Sequence, residues 1–314
     1  MVTSMENTAC RTDLVDEMAS LSGAKRDIAG CRVTERTEHG CRLCEVDVLT
    51  PEGERNVGKP RGRYISYDIG QVRLMDKARF YDTANLIADG ITSLLPEKEG
   101  AVLFAALGNR AVTADAVGPM AAEQFIVTSP IKKENPALFD GMRLRETYCV
   151  VPDVLGNTGL EAASIIRGVV DKVRPVAVIA ADALAARRLG RLATTVQLCD
   201  TGISPGSGIR NARPALNAET LGVPVIAIGV PTVVEAGTLA FDVLETALAQ
   251  YDAADAEQCR QMLRGMLLPS ESGYFVTPKE TDRIIKDVSK LIAVSLNRAL
   301  QRSLTFDEMD ELTA

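Results

Sequence analysis

Tryptophan is absent from this chain of 314 residues, histidine occurs once, and aromatic residues make up only 4%. So few rings leave no stacking platform of the kind that holds bases or sugars. Catalysis by Ser-His-Asp or Cys-His systems needs a His beside the nucleophile. The lone His39 stands in "ERTEHGCRLCEVDV", where His-Gly reads as the exposed turn of a hairpin between alternating strands. Zinc sites built from several His are excluded by count. No apolar run reaches the roughly 18–20 residues that span a bilayer. The opening stretch "MVTSMENTACRTDLVDEMAS" has no apolar core of the secretory type. A basic surplus is missing too: the net charge is −7, so nothing suggests nucleic acid as a partner. That balance mildly favours basic or neutral partners.

The seven Cys are odd in number and irregularly spaced, and several lie inside apolar runs such as "ETYCVVP" and "VQLCD". Free Cys in such runs behaves as a small hydrophobe, and the usage fits a reducing compartment. The expectation is a cytoplasmic protein without a disulfide frame. "CRLC" (41–44) has CxxC spacing with no second pair and lies in an alternating strand, which gives little support to zinc or redox use.

What is present is globular: 46% hydrophobic and 25% charged residues. Residues 1–25 are polar and irregular and read as a tail or detachable arm. From Ile28 to about Asp68 the pattern alternates with period two, broken by "HG", "TPEGE" and "GKPRGR", which predicts a small antiparallel β section. Residues 76–95 carry a helical stripe closed by Pro96. Then "AVLFAALG", "ETYCVVPDV", "VAVIAAD", "TTVQLCD" and "VPVIAIGV" appear as short apolar strands separated by helical segments. In "TGLEAASIIRGVVDKV", Thr158 and Glu161 have capping-box spacing. Residues 277–301 read as a long amphipathic helix introduced by "TPKE". Alternating strands and helices predict a three-layer α/β fold with a mostly parallel central sheet, whose strand ends share one edge.

That edge directs attention to carboxylates. Asp115 lies in "ALGNRAVTADAVGP" at the start of a helix, and Asp182 ends the apolar run of "VRPVAVIAADALAARR". Each could be a helix cap. Together they could also form a carboxylate pair in which one pKa rises and one stays low, so that one acts as acid while the other activates a water. The same pair could hold a divalent metal. Glu235 follows another strand end, as a third carboxylate or a cap. The Gly-rich "CDTGISPGSGIRN" (199–211) matches neither phosphate-binding frame. Its adjacent N–H groups, around Gly206, could serve a developing oxyanion. Ser204 and Ser207 have no His to activate them.

An ordered set of motifs then resembles the germination protease family of spore-forming bacteria. It comprises "RTDL" (11–14), "GRY" (62–64), "LGN" with "VTADAVGP" (107–119), "VPDVLGNTGLE" (151–161), "ADALAAR" (181–187), "DTGISPGSG" (200–208), "ETLGVPVIAIGVPTVVEA" (219–236) and "VTPKE" (276–280). The resemblance implies an aspartic-type endopeptidase that degrades small acid-soluble spore proteins, with an α/β fold similar to hydrogenase-maturation endopeptidases. It places the family's two proposed catalytic aspartates on Asp115 and Asp182, with Asn109, Asp200 and Glu235 at nearby family positions. It also implies a zymogen, a homotetramer, no cofactor, and a location in the forespore or spore core. Family substrates are cut between an acidic and an apolar residue, which points to self-processing at Asp13–Leu14. The expected organisation is an arm, 1–13, followed by a single peptidase domain, 14–314. The rivals are a metal-assisted hydrolase using the same carboxylates and a non-catalytic binder of basic spore proteins.

Overall fold

The computed structural model describes residues 12–21, 28–204, 213–248, 262 and 274–313. Nine strands among them form one sheet: β1 (Cys31–Glu38), β2 (Cys41–Val48), β3 (Gly62–Asp68), β4 (Val102–Ala106), β5 (Thr147–Val150), β6 (Ala177–Ala186), β7 (Thr195–Cys199), β8 (Val225–Glu235) and β9 (Phe275–Val276). Their order is β1-β2-β3-β7-β8-β6-β4-β5, with β9 added to the end of β8. Only β5, β4, β6 and β8 run parallel to one another; β7, β3, β2, β1 and β9 pair antiparallel. The sheet is thus mixed rather than mostly parallel. The cause lies in the link between β6 and β7, residues 187–194, which is shorter than the dozen or so residues a parallel crossover needs. The chain turns back through a short 3₁₀ segment, Leu189–Arg191, and β7 returns antiparallel. The β section predicted over 28–68 is present and continuous with this sheet. His39 (φ 48°) and Gly40 (φ 74°) make its turn with two consecutive positive φ values, the geometry that follows the twist of a hairpin.

Helices cover both faces. On one face α3 (Lys77–Leu94), α4 (Val117–Ala122) and the helix Thr281–Leu300 bury Ile87, Ile91, Val288, Leu291 and Ile292 against Phe104, Ile179, Ile226 and Ile228. On the other, the helix Ala162–Val173 places Ile166 and Val170 on Leu103, Val178 and Val225. Strand residues alternate between the two clusters, which is why the central strands read as unbroken apolar runs. Cys41 and Cys44 enter different clusters on opposite faces, so the CxxC spacing on a strand separates the two thiols.

Three local expectations are corrected. "TPEGE" is no simple break: Thr50 caps α2 (Pro51–Val57), its hydroxyl accepting from the Gly53 N–H at 3.2 Å. The Thr158–Glu161 capping box does not form. Thr158 ends a separate short helix, and Glu161 is instead paired with Arg213 at 3.2 Å. Of the arm read over 1–25, the described residues 12–21 do not stay apart: α1 (Val15–Leu21) packs into the body with Leu14 and Val15 wholly buried.

Backbone and side-chain bonds fix α1 there. Gln197 donates from Nε2 to the Asp13 carbonyl at 3.2 Å and accepts the Val15 N–H at 2.7 Å. The Glu17 carboxylate accepts the N–H groups of Arg187 and Arg188 at 2.8 and 3.2 Å, tying the helix to the chain leaving β6. Arg191 spans Asp16 at 2.7 Å and Asp68 at 2.5 Å. Leu14 packs on Leu184, Leu192 and Val234. Truncating it to Ala removes a buried side chain, so Leu14→Ala is expected to lower the unfolding free energy by about 2–4 kcal/mol in a urea titration. Leu74→Ala, at a position 73% exposed, should change it by less than about 0.5 kcal/mol. Equal effects would show that residues 12–21 are not part of the folded body.

Candidate active site

Strand β4 ends before its neighbour does. The last register pair is Ala106 with Ala181, the Leu107 N–H then donates to the Ala181 carbonyl at 2.9 Å, and the chain turns away at Gly108. Asp182 is the next residue of β6. The sequence reading had β6 stop at this Asp and turn helical; instead β6 runs to Ala186 along β8, with Asp182 opposite Gly229. Asp182 therefore caps no helix.

The turn after β4 brings the second carboxylate. Gly108 has φ 113°, and a Cβ built on it would stand 2.0 Å from the Asp115 carbonyl oxygen, so only glycine lets the loop close this tightly. The loop then enters a 3₁₀ turn, Thr113–Asp115, which leads into α4. Gly118 in α4 allows similar closeness: a Cβ there would meet the Leu107 carbonyl at 2.3 Å and the Ala181 carbonyl at 2.8 Å. These contacts seat the helix directly on the ends of β4 and β6. The Asp115 carboxylate bonds to none of the first-turn N–H groups of α4. It accepts the backbone N–H of Asn109 at 2.8 Å, so neither aspartate is a helix cap.

Asp115 and Asp182 line one cavity of about 380 Å³, together with Asp13 and Asp153 and with apolar walls from Leu107, Val154, Leu155, Leu184 and Ile203. Asp182 is 5% exposed. Burial pushes its pKa well above the ordinary carboxylate value, and the nearby charge of Asp115 raises it further, against the opposing pull of the Ala183 N–H. Burial also raises Asp115; the Asn109 N–H opposes this and the charge of Asp153 adds to it. The charge of Asp115 is thus felt at Asp182.

The other expected positions divide. Asn109 acts through its backbone N–H, while its side-chain oxygen accepts the Ala111 N–H at 2.9 Å and shapes the turn. Asp200 is not brought to the cavity: it is exposed after β7, where its carboxylate accepts the Arg63 N–H at 2.8 Å and ties β7 to β3. Glu235 ends β8, buried, and accepts the Thr238 hydroxyl at 2.9 Å. It too lies outside the cavity lining, joining a strand end to the helix Ala236–Leu248. Gly206 lies outside the described residues. Asp13 does reach the cavity. Its N–H donates to the Ala185 carbonyl at 2.8 Å, its carboxylate accepts the Ala185 N–H at 2.9 Å, and Lys59 stands 4.0 Å away. Asp153 was not singled out from the sequence. It has φ 61° and accepts from the Val154 N–H and the Asn157 amide; its place in "VPDVLGN", just after a strand, was the available signal. Among the described residues no three His, Cys, Asp or Glu side chains gather as a metal-binding group.

The pH dependence of stability follows from Asp182. Its folded-state pKa lies above the unfolded value, so the native state binds this proton more tightly. The resulting stabilisation is complete below about pH 4, the ordinary carboxylate value, and is lost as pH rises through the elevated one. Asp182→Asn, neutral at every pH, is therefore expected to unfold at a higher temperature than the wild type near neutrality, with the advantage shrinking as the pH falls to about 4. A thermal midpoint no higher than wild type at neutral pH would show that the ionised carboxylate carries no burial cost.

Comparison with known proteins gives the family of the chain. Residues 9–258 match the family model described as germination protease. The chain is 39% identical to the germination protease of Caldanaerobacter subterraneus subsp. tengcongensis, covering 96% of this chain and 97% of that one. It is also 39% identical to that of Clostridium perfringens (strain ATCC 13124), covering 96% and 98%. With the protein of that name from Bacillus pumilus it shares 33% identity over 95% of each chain. The chain, which sets Asp115 and Asp182 in one cavity, belongs to the germination protease family of endopeptidases.

Proposed function

We propose that this protein is an aspartic-type endopeptidase that opens the degradation of small acid-soluble spore proteins during germination, with Asp115 and Asp182 activating a water. The observation that carries the mechanism is the shared cavity, in which burial raises both carboxyls and the charge of Asp115 raises Asp182 further. Two carboxyls that face one cavity can keep one proton between them. Asp182, more strongly raised, holds that proton, while Asp115, steadied by the Asn109 N–H, stays ionised. Asp115 then takes a proton from the attacking water as its oxygen bonds to the peptide carbon. Asp182 gives its proton to the departing amine nitrogen, and the two carboxyls exchange roles for the next turnover.

The same reading takes the chain as a zymogen that removes its arm at Asp13–Leu14. What supports it is that Asp13 already lies on the cavity wall while Leu14 is sealed behind it. The family points further to a homotetramer in the spore core. The α/β sheet edge bearing "GNRAVTAD" is the basis for likening the core to hydrogenase-maturation endopeptidases. No helix among the described residues is long and apolar enough to cross a membrane.

The test uses full-length protein with a purified small acid-soluble spore protein, read by intact-mass spectrometry. Asp115→Asn and Asp182→Asn are each expected to reduce cleavage at least about 10³-fold while remaining folded, as loss of an acid or base together with its electrostatic role would. Chelator should leave the wild type unaffected. Efficient cleavage by either variant would remove the aspartate pair, and inhibition by chelator with rescue by one divalent ion would favour the metal-assisted rival. N-terminal sequencing of matured protein is expected to begin at Leu14, and any other start would remove the processing assignment.

A further inference from the structure

Strand β8 contains a proline, Pro231, whose missing N–H interrupts a strand ladder. The interruption is visible in the register: Leu184 pairs with Pro231 and Ala185 with Val233, leaving Thr232 as an extra residue with no partner across the strand pair. Such bulges re-aim side chains and concentrate beside active sites. Thr232 is 1% exposed and lines the cavity that holds Asp115 and Asp182. Its hydroxyl oxygen has no hydrogen-bond partner among the described residues. Leaving a buried hydroxyl unmet costs about 1–3 kcal/mol, and native structures seldom accept that without a reason. A valine would fill the same volume without the cost, so the hydroxyl's partner is to be sought in what enters the cavity.

We propose that Thr232 is a catalytic residue of the endopeptidase and that its hydroxyl donates a hydrogen bond to the carbonyl oxygen of the scissile peptide. The proposal rests on the aspartate reading above. When the water oxygen bonds to the peptide carbon, the carbonyl π pair moves to the oxygen and the water's proton passes to the ionised aspartate. The new oxyanion needs donors that are in place beforehand, because a preset hydrogen bond in a dry site costs no reorganisation as charge develops. Thr232 supplies one and keeps its own proton throughout. When the carbon–nitrogen bond breaks and the nitrogen takes its proton from the neutral aspartate, the carbonyl re-forms and the hydrogen bond weakens. The bulge gives this donor a place on the strand next to the one carrying Asp182, fixed by backbone rather than by a loop.

The decisive comparison sets Thr232→Val against Thr232→Ser, with Thr232→Ala as a second variant lacking the hydroxyl. All are made in the full chain and assayed on the same spore protein. Because the hydroxyl has no structural partner, the Val variant is expected to unfold at the wild-type temperature or above. Its kcat should fall about 10²-fold with KM within twofold, the loss typical of one oxyanion donor. The Ser variant should keep kcat within several-fold. The pH limbs of activity should not move, since threonine does not titrate. A Val variant with wild-type kcat overturns the proposal, as does a Ser variant that falls as far as Val, which would mark a packing role. If Val fails to fold, a folded Ala variant with wild-type kcat overturns it equally. Asp115→Asn and Asp182→Asn run alongside keep the two readings apart. Aspartate variants that still cleave defeat the aspartate pair, whereas inactive aspartate variants beside a fully active Thr232→Val defeat only the role of the hydroxyl.

Discussion

Everything at this site depends on a mismatch in strand length. β4 stops at Ala106 while β6 continues to Ala186, so one residue past the last β4 pair a carboxyl stands inside a sheet instead of at its rim. A charge in that position is poorly solvated, and the protein answers by surrounding it with groups that adjust its proton rather than neutralise it. The turn at Gly108 delivers Asp115, α4 closes over the strand ends through Gly118, and Asp153 adds a further negative charge. Among the described residues no arginine or lysine lines the cavity except Arg213, whose guanidinium is already engaged with Glu161. Under the proposed aspartate mechanism, the stability lost by holding an ionisable group out of water is retained as chemical reactivity.

The N-terminal segment belongs to the same construction. Both backbone polar groups of Ala185 are bonded to Asp13 just where the β6–β8 ladder slips, and Gln197 grips the residues on either side of Leu14. An apparent tail is thus built into the wall of the site. Its polar composition hid this, because Asp13, Asp16 and Glu17 are buried through specific partners, and a polar run with such partners has no periodic apolar signature.

Much of the core could be read from the sequence. The runs around Val102–Ala106 and Ala177–Ala181 are apolar at every position because both faces of the sheet are covered, and the stripe of residues 281–300 follows the period of a helix. Asp115 and Asp182 could be marked as strand-edge carboxylates on the same grounds. Strand direction was not legible: "TTVQLCD" looks alike parallel or antiparallel, and only the length of its connection decides. Nor was the extent of β6, since "ALAAR" suits a helix by propensity and becomes strand by pairing with β8. Glu235 looked like a member of the site because it follows a strand end, and Asp200 because the family resemblance set it nearby. The Asp200 carboxylate accepts the Arg63 N–H, a contact made across the fold that no local pattern announces, while Glu235 accepts the hydroxyl of Thr238 three residues further on. Thr232 was invisible for the opposite reason: its significance lies in a hydrogen bond that it does not make.

The central claim is that the two carboxyls of one cavity share one proton, and a carboxyl-carbon NMR titration of aspartate-labelled protein tests it most directly. In the wild type the account predicts an Asp182 midpoint well above the ordinary carboxylate range. In Asp115→Asn that midpoint should move down, because the neighbouring negative charge has been removed. An Asp182 signal that titrates in the ordinary range, or one unmoved by Asp115→Asn, would contradict it.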